Sequence, residues 1–250
     1  MASGPTVAIR NLSSAVKEST LAAALPAIQK QVSTDFFSAW GTDARLVLVE
    51  SGSAAPSGAW MIGVFDDSEQ AGALGYHDMT RDGRPLGKVF AASVLREGGR
   101  WTVALSHELL EMLVDPNINL CAFDENNRRL YAYEICDPVE SDALAYEIDG
   151  VAVSDFVLPA WFEPTHLTGS NLAFKSRVTA PLQLQSGGYI GYFDFDGSGW
   201  QQLHAREITD ARVLSGRTAP PSPFAARPRV GSRRERRRLP KGQWLRSAAG

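Results

Sequence analysis

Trp101-Thr102-Val103-Ala104-Leu105-Ser106-His107-Glu108-Leu109-Leu110-Glu111-Met112-Leu113-Val114 decides how the rest of the chain is read. Gly98-Gly99 breaks the backbone ahead of it, and Asp115-Pro116-Asn117 stops it, so the spacing predicts a helix over 101–114. Leu109, Leu110, Met112 and Leu113 surround the three polar residues with bulky apolar groups. A helix that is apolar on most sides is buried, and a buried His-Glu-Glu set then needs partners. His107 and Glu111 are four apart and project from one face, one turn apart, where an imidazole nitrogen and a carboxylate oxygen can meet one metal ion. Glu108 follows the first ligand and points into a neighbouring part of the same cleft. That position suits a carboxylate taking a proton from a water whose pKa a metal lowers from ~16 toward ~7. The competing reading is an amphipathic helix whose charges are solvated, since short patterns recur by chance.

Outward toward the N-terminus, apolar residues at Val16, Leu21, Leu25, Ile28 and Val32 recur at helical spacing, so Leu12 to Val32 is expected to be helical, kinked or divided by Pro26. Ala44 to Glu50 and Gly58 to Phe65 are short aliphatic runs separated by a Ser/Gly/Pro turn, and both are expected strands. Gly72 to Gly83 is rich in turn formers and reads as a loop, followed by a third strand from Gly87 to Ala92. Beyond the motif helix lie short strands at Leu130–Tyr133, Ala145–Ile148 and Val151–Val153, with Asp149-Gly150 as a hairpin signal. A further hairpin is expected within about 186–205, around Asp196-Gly197-Ser198; its acids lack the bidentate glutamate of a calcium loop. The order predicts an α+β fold: a small twisted mixed sheet packed on an N-terminal helix and the buried motif helix, followed by an irregular β-rich C-terminal part.

His-Glu-x-x-Glu on a helix resembles the His-Glu-x-x-His helix of the zincin metallopeptidases, with Glu111 in place of the second histidine. The resemblance covers roughly the first two thirds of the chain and is specific around the helix. It implies a zincin-like fold and a hydrolase, most readily a zinc peptidase, with Zn²⁺ or another divalent metal held by His107 and Glu111 and with Glu108 as general base. A carboxylate in place of an imidazole makes the site harder and more anionic. Val114 and Asn117 stand where the metzincin subgroup has its glycine and third histidine, so the gluzincin-like arrangement, with a glutamate from a later segment, is the closer parallel. Tyr133-Glu134-Ile135-Cys136-Asp137-Pro138 supplies it: Glu134 is the first choice of ligand, Asp137 an acceptor for the other ring nitrogen of His107, and Asp137 and Cys136 are alternative ligands. In zincins the last strand of the sheet borders the substrate cleft. His77 or Tyr76, in the loop before it, is thereby implied as a hydrogen-bonding partner of a substrate carbonyl; a surface loop histidine is the simpler reading. The other class of function is a zincin-like fold that has lost catalysis and serves as a structural or interaction module.

Composition bounds these readings. With 250 residues, 44% hydrophobic and 21% charged, the chain has the make-up of a globular protein with a sizeable core. No apolar run approaches the ~20 residues of a membrane span, and Met1-Ala2-Ser3-Gly4-Pro5 does not resemble a secretory leader, so a cytoplasmic protein is expected. Cys121 and Cys136 are expected to be free buried thiols rather than a disulfide. The net charge of −3 hides an asymmetry: Arg217 to Gly250 carries +9 and residues 1–216 carry −12. Residues 1–216 therefore read as the folded domain, and 217–250 as a basic tail, disordered in isolation. Its Arg233-Arg234-Glu235-Arg236-Arg237-Arg238 run suits nucleic acid or an acidic partner, and equally a solubilising segment.

Overall fold

A computed structural model of the chain describes residues 4–68, 73–163, 167, 169–197 and 199–205; the basic tail lies outside the described residues. The fold is mixed α+β. A five-stranded sheet is built from β1 (Thr6–Asn11), β2 (Arg45–Val49), β3 (Trp60–Phe65), β4 (Gly75–Met79) and β5 (Pro85–Phe90), in the order β2-β1-β3-β5-β4. The first four of that order run parallel, and β4 joins the edge antiparallel to β5. Val7, Ala8 and Ile9 of β1 and Ile62 and Val64 of β3 are fully buried, as expected of parallel strands covered on both faces.

Helix α1 (Glu18–Lys30) leads through a π-helical stretch (Gln31–Phe36) into α2 (Phe37–Trp40), which Gly41 ends in the left-handed conformation. Two expectations change here. The helix begins at Glu18, not Leu12, because the Asp66 carboxylate accepts hydrogen bonds from the Ser13 and Ser14 hydroxyls and the backbone N–H groups of Ser14 and Ala15. These bonds hold the approach as a non-helical loop. Pro26, in turn, sits inside α1 without ending it. A strand that the helical reading of this region overlooked, β1, precedes the loop.

After α3 (Ala91–Arg96), Gly98 takes a positive φ and Gly99 follows, and α4 spans Trp101–Val114. The Asp142 carboxylate accepts the N–H of Arg100 at 2.7 Å, placing an acid at the start of α4 where unpaired amides and the helix dipole favour it. At the other end, Asp115 is fully buried and accepts the N–H groups of Asn119 and Leu120, fixing the turn that leaves the helix. Residues 105–113 of α4 are all buried, and the helix lies across β4 and β5. Its apolar side chains Leu105, Leu109, Leu110 and Met112 join those of α1 and the sheet in one core. No helix among the described residues is long and apolar enough to cross a membrane.

The C-terminal part is a second sheet of β6 (Cys121–Asp124), β7 (Arg129–Ala132), β10 (Tyr189–Asp194) and β11 (Gly199–His204), ordered β11-β10-β7-β6, together with the hairpin β8 (Tyr146–Ile148) and β9 (Val151–Val153). Asp149 and Gly150 at the β8–β9 turn both have positive φ, as a two-residue hairpin requires. The Ser154 N–H, just past β9, donates to Ser106 Oγ at 2.7 Å, and Ser106 Oγ–H donates to the Val103 carbonyl. This couples the motif helix to the C-terminal part. Cys121 and Cys136 are free thiols; Cys136 is buried and Cys121 partly so.

Candidate metal centre

Three segments bring ionisable side chains together beneath the sheet edge. Helix α4 contributes His107, Glu108 and Glu111; β4 contributes His77; the turn Asp137–Val139 after β7 contributes Asp137. All five are buried, with exposures of 8% for His107, 7% for Glu108, 3% for Glu111 and 2% for His77 and Asp137. A solvated charged face is thereby ruled out for this helix.

The turn bearing Asp137 is well anchored. Val139 N–H closes it on the Cys136 carbonyl, Val157 N–H reaches the Ile135 carbonyl, and Gln185 N–H reaches that of Pro138. The Cys136 N–H donates to Glu111 Oε1 at 3.1 Å, so the turn also fixes the Glu111 carboxylate. His107 Nε2 then faces Asp137 Oδ1 at 3.2 Å and Glu111 Oε1 at 3.5 Å. Both carboxylates face the same ring nitrogen. Groups that face one ring nitrogen in this way could share an ion with it. The spacing agrees: bonds of ~2.0–2.1 Å at tetrahedral angles place ligand atoms about 3.3–3.4 Å apart, whereas charge-assisted N–H···O contacts are about 2.7–2.9 Å. His107, Glu111 and Asp137 therefore form a triad that can hold a metal ion.

Glu134 stands outside this triad. It precedes the turn by three positions, is half-buried, and acts on Asp137 through its charge. Asp137 occupies the third position because the turn at Cys136-Asp137-Pro138 carries its side chain back toward α4. The Cys136 sulfur joins neither this triad nor the one described next. Burial pushes its thiol well above the usual range, so it is a neutral S–H, and its contribution is the backbone N–H to Glu111.

His77 does not lie in a loop: it is the middle residue of β4, paired with Gly87 of β5, and its ring points under the sheet edge. Its Nδ1 is 3.4 Å from Glu108 Oε2 and 3.6 Å from Glu111 Oε2, so His77, Glu108 and Glu111 make a second triad with ligand-shell spacing. Glu108 reaches this place because β4 carries a glycine where the carboxylate passes. A Cβ on Gly75 would lie 2.5 Å from Glu108 Oε1 and 2.8 Å from its Cγ. Alternation along β4 was the signal for His77, hidden in a turn-rich stretch; nothing in the sequence marked Gly75.

Electrostatics follow from burial and crowding. Burial lowers the affinity of His107 for a proton, but the Glu111 and Asp137 carboxylates outweigh it and hold the imidazole well above its ordinary value. Burial, Glu111 and Glu134 push the Asp137 carboxyl well up against the opposing pull of His107. Both shifts favour the protonated forms, and a divalent ion could take the place of those protons as the compensating charge. Comparison of the chain with protein-family models, with curated proteins and with solved structures finds no match, so its chemistry is read from these side chains themselves.

Proposed function

We propose that the chain is a zincin-like metal-dependent hydrolase, most readily a peptidase, with Zn²⁺ held by His107, Glu111 and Asp137. The observation that carries this reading is the convergence of those three buried side chains at ligand-shell spacing, with a further carboxylate, Glu108, one residue from the histidine. A cation held by these three residues would supply Lewis acidity, polarising a carbonyl and lowering the pKa of a bound water. Glu108 is the proton acceptor: it is held against β4 and beside His77, and it follows His107 directly on α4. His77 Nδ1 lies 3.4 Å from Glu108 Oε2 and orients that carboxylate. β4 is the outer strand of its sheet, an edge on which an extended peptide can lie with its carbonyl over the centre.

Elemental analysis of the purified full-length chain beside a His107→Ala variant tests the centre. Bound metal in the wild type and its loss in the variant are expected; equal, near-zero metal in both would overturn the reading. With metal present, Glu108→Gln should keep the ion at His107, Glu111 and Asp137 and lose hydrolysis of an unfolded casein substrate. Metal without hydrolysis in the wild type would favour the non-catalytic alternative, in which the +9 segment from Arg217 to Gly250 docks on nucleic acid or an acidic partner. Salt-sensitive binding that disappears on truncation near residue 216 is the signature of that activity.

A further inference from the structure

Glu111 belongs to both triads, and its two oxygens are divided between them. Oε1 accepts the Cys136 N–H and faces His107 Nε2, while Oε2 faces His77 Nδ1 at 3.6 Å. The backbone bond from Cys136 settles which oxygen looks which way. The carboxylate therefore lies between two histidines that come from different elements. His77 and Glu108 meet Glu111 on the β4 side; His107 and Asp137 meet it on the side of the turn. The bare backbone at Gly75 independently lets the Glu108 carboxylate pack against β4 and reach His77.

We propose that the centre binds two divalent cations bridged by Glu111, the second held by His77, Glu108 and Glu111. The proposal rests on the reading that His107, Glu111 and Asp137 hold the first. One carboxylate spanning two ions is the arrangement of paired-metal sites, whose ions sit ~3.5–4 Å apart. The nitrogen and oxygen donors on each side suit zinc or a similar first-row ion rather than calcium, which takes six to eight oxygens.

The two sites differ in strength. The first ion has Asp137 to itself and a Glu111 oxygen already oriented by a backbone N–H. The second must share Glu111 and approach a charge already in place, so its step is weaker by roughly tenfold or more. Occupying it also engages Glu108, which then no longer accepts a proton. Hydrolysis should accordingly rise with the first equivalent of zinc and fall with the second.

Equilibrium dialysis of the chelator-stripped full-length chain against Zn²⁺, followed by elemental analysis, should give two ions per chain in two steps. His77→Ala should abolish the weaker step and keep the stronger. A direct reading of proximity comes from Mn²⁺-loaded wild type, whose electron paramagnetic resonance should show a coupled pair rather than the six-line pattern of isolated ions. A single ion per chain would overturn the second site and leave the first standing; none would overturn both. Two ions retained in His77→Ala, or two uncoupled Mn²⁺ ions, would place the second ion elsewhere and refute the bridge. The wild-type stoichiometry and the coupling need no variant, so they decide the matter even if His77→Ala fails to fold.

Discussion

Replacing Glu111 by glutamine keeps the outline of the side chain and removes one negative charge at the point where the triads meet. In the metal-free chain the consequences oppose each other. The variant loses attraction to the His107 imidazolium and also loses repulsion of Asp137, while the amide oxygen can still accept the Cys136 N–H. Metal-free stability should therefore stay within about 1 kcal/mol of wild type. With zinc the outcome is one-sided. A ligand at a hundred times its Kd stabilises the folded state by about 2.7 kcal/mol, and a hundredfold weaker Kd at the same zinc concentration leaves only about 0.4 kcal/mol. At 2–4 °C per kcal/mol for a chain of this size, the zinc-induced rise in melting temperature should shrink by roughly 5–9 °C. Differential scanning calorimetry with chelator and with zinc, on wild type and Glu111→Gln, measures all four values. The reasoning fails if both proteins gain equally from zinc. It fails equally if metal-free Glu111→Gln is about 3–5 kcal/mol less stable, because Glu111 would then be a structural ion-pair partner of His107.

Other outcomes follow from the same geometry. The His107 folded-state pKa is raised above its unfolded value of 6.5, so its contribution to metal-free stability is full below pH 6.5 and is lost as pH rises through the folded value. Asp137, raised above 3.8, has the same sign. Zinc must displace the His107 proton, so the zinc-induced shift in melting temperature should grow between pH 6 and 8, and a flat profile would argue against His107 as a ligand. Gly75→Ala drives a methyl into the Glu108 carboxylate without disturbing a left-handed backbone. It should cost about 1–3 kcal/mol at most and keep the zinc ion at His107, Glu111 and Asp137 while losing most hydrolysis, read from melting, metal content and turnover. Ser106→Ala leaves the buried Ser154 N–H without its acceptor and should cost about 1–3 kcal/mol by urea denaturation.

The motif helix was legible in the sequence because its limits are set locally, by Gly98-Gly99 and by Asp115-Pro116, and its apolar density reported its burial. Strands β2 and β3, the β8–β9 hairpin and the β10–β11 hairpin were legible for the same reason: aliphatic or alternating runs bounded by turn residues. What escaped depends on tertiary context. β4 is five residues of glycine, aromatic, histidine, acid and methionine, and it is a strand because β5 pairs with it. The start of α1 is set by Asp66, about fifty residues away. The choice between Glu134 and Asp137 turns on how one short turn is pinned to Val157 and Gln185, which no spacing rule encodes. Glu108, Glu111 and His107 were found by helical periodicity alone. Their partner His77 was named through the resemblance alone and as a loop residue; its place in β4, beside Glu108 and Glu111, needed the fold.

The most direct measurement is an anomalous difference map at the zinc absorption edge from crystals of the full-length chain equilibrated with Zn²⁺. The account predicts a strong peak ~2.0–2.2 Å from His107 Nε2 and from oxygens of Glu111 and Asp137. Zinc found only at other residues, with those three side chains still facing one another and no peak between them, would contradict it.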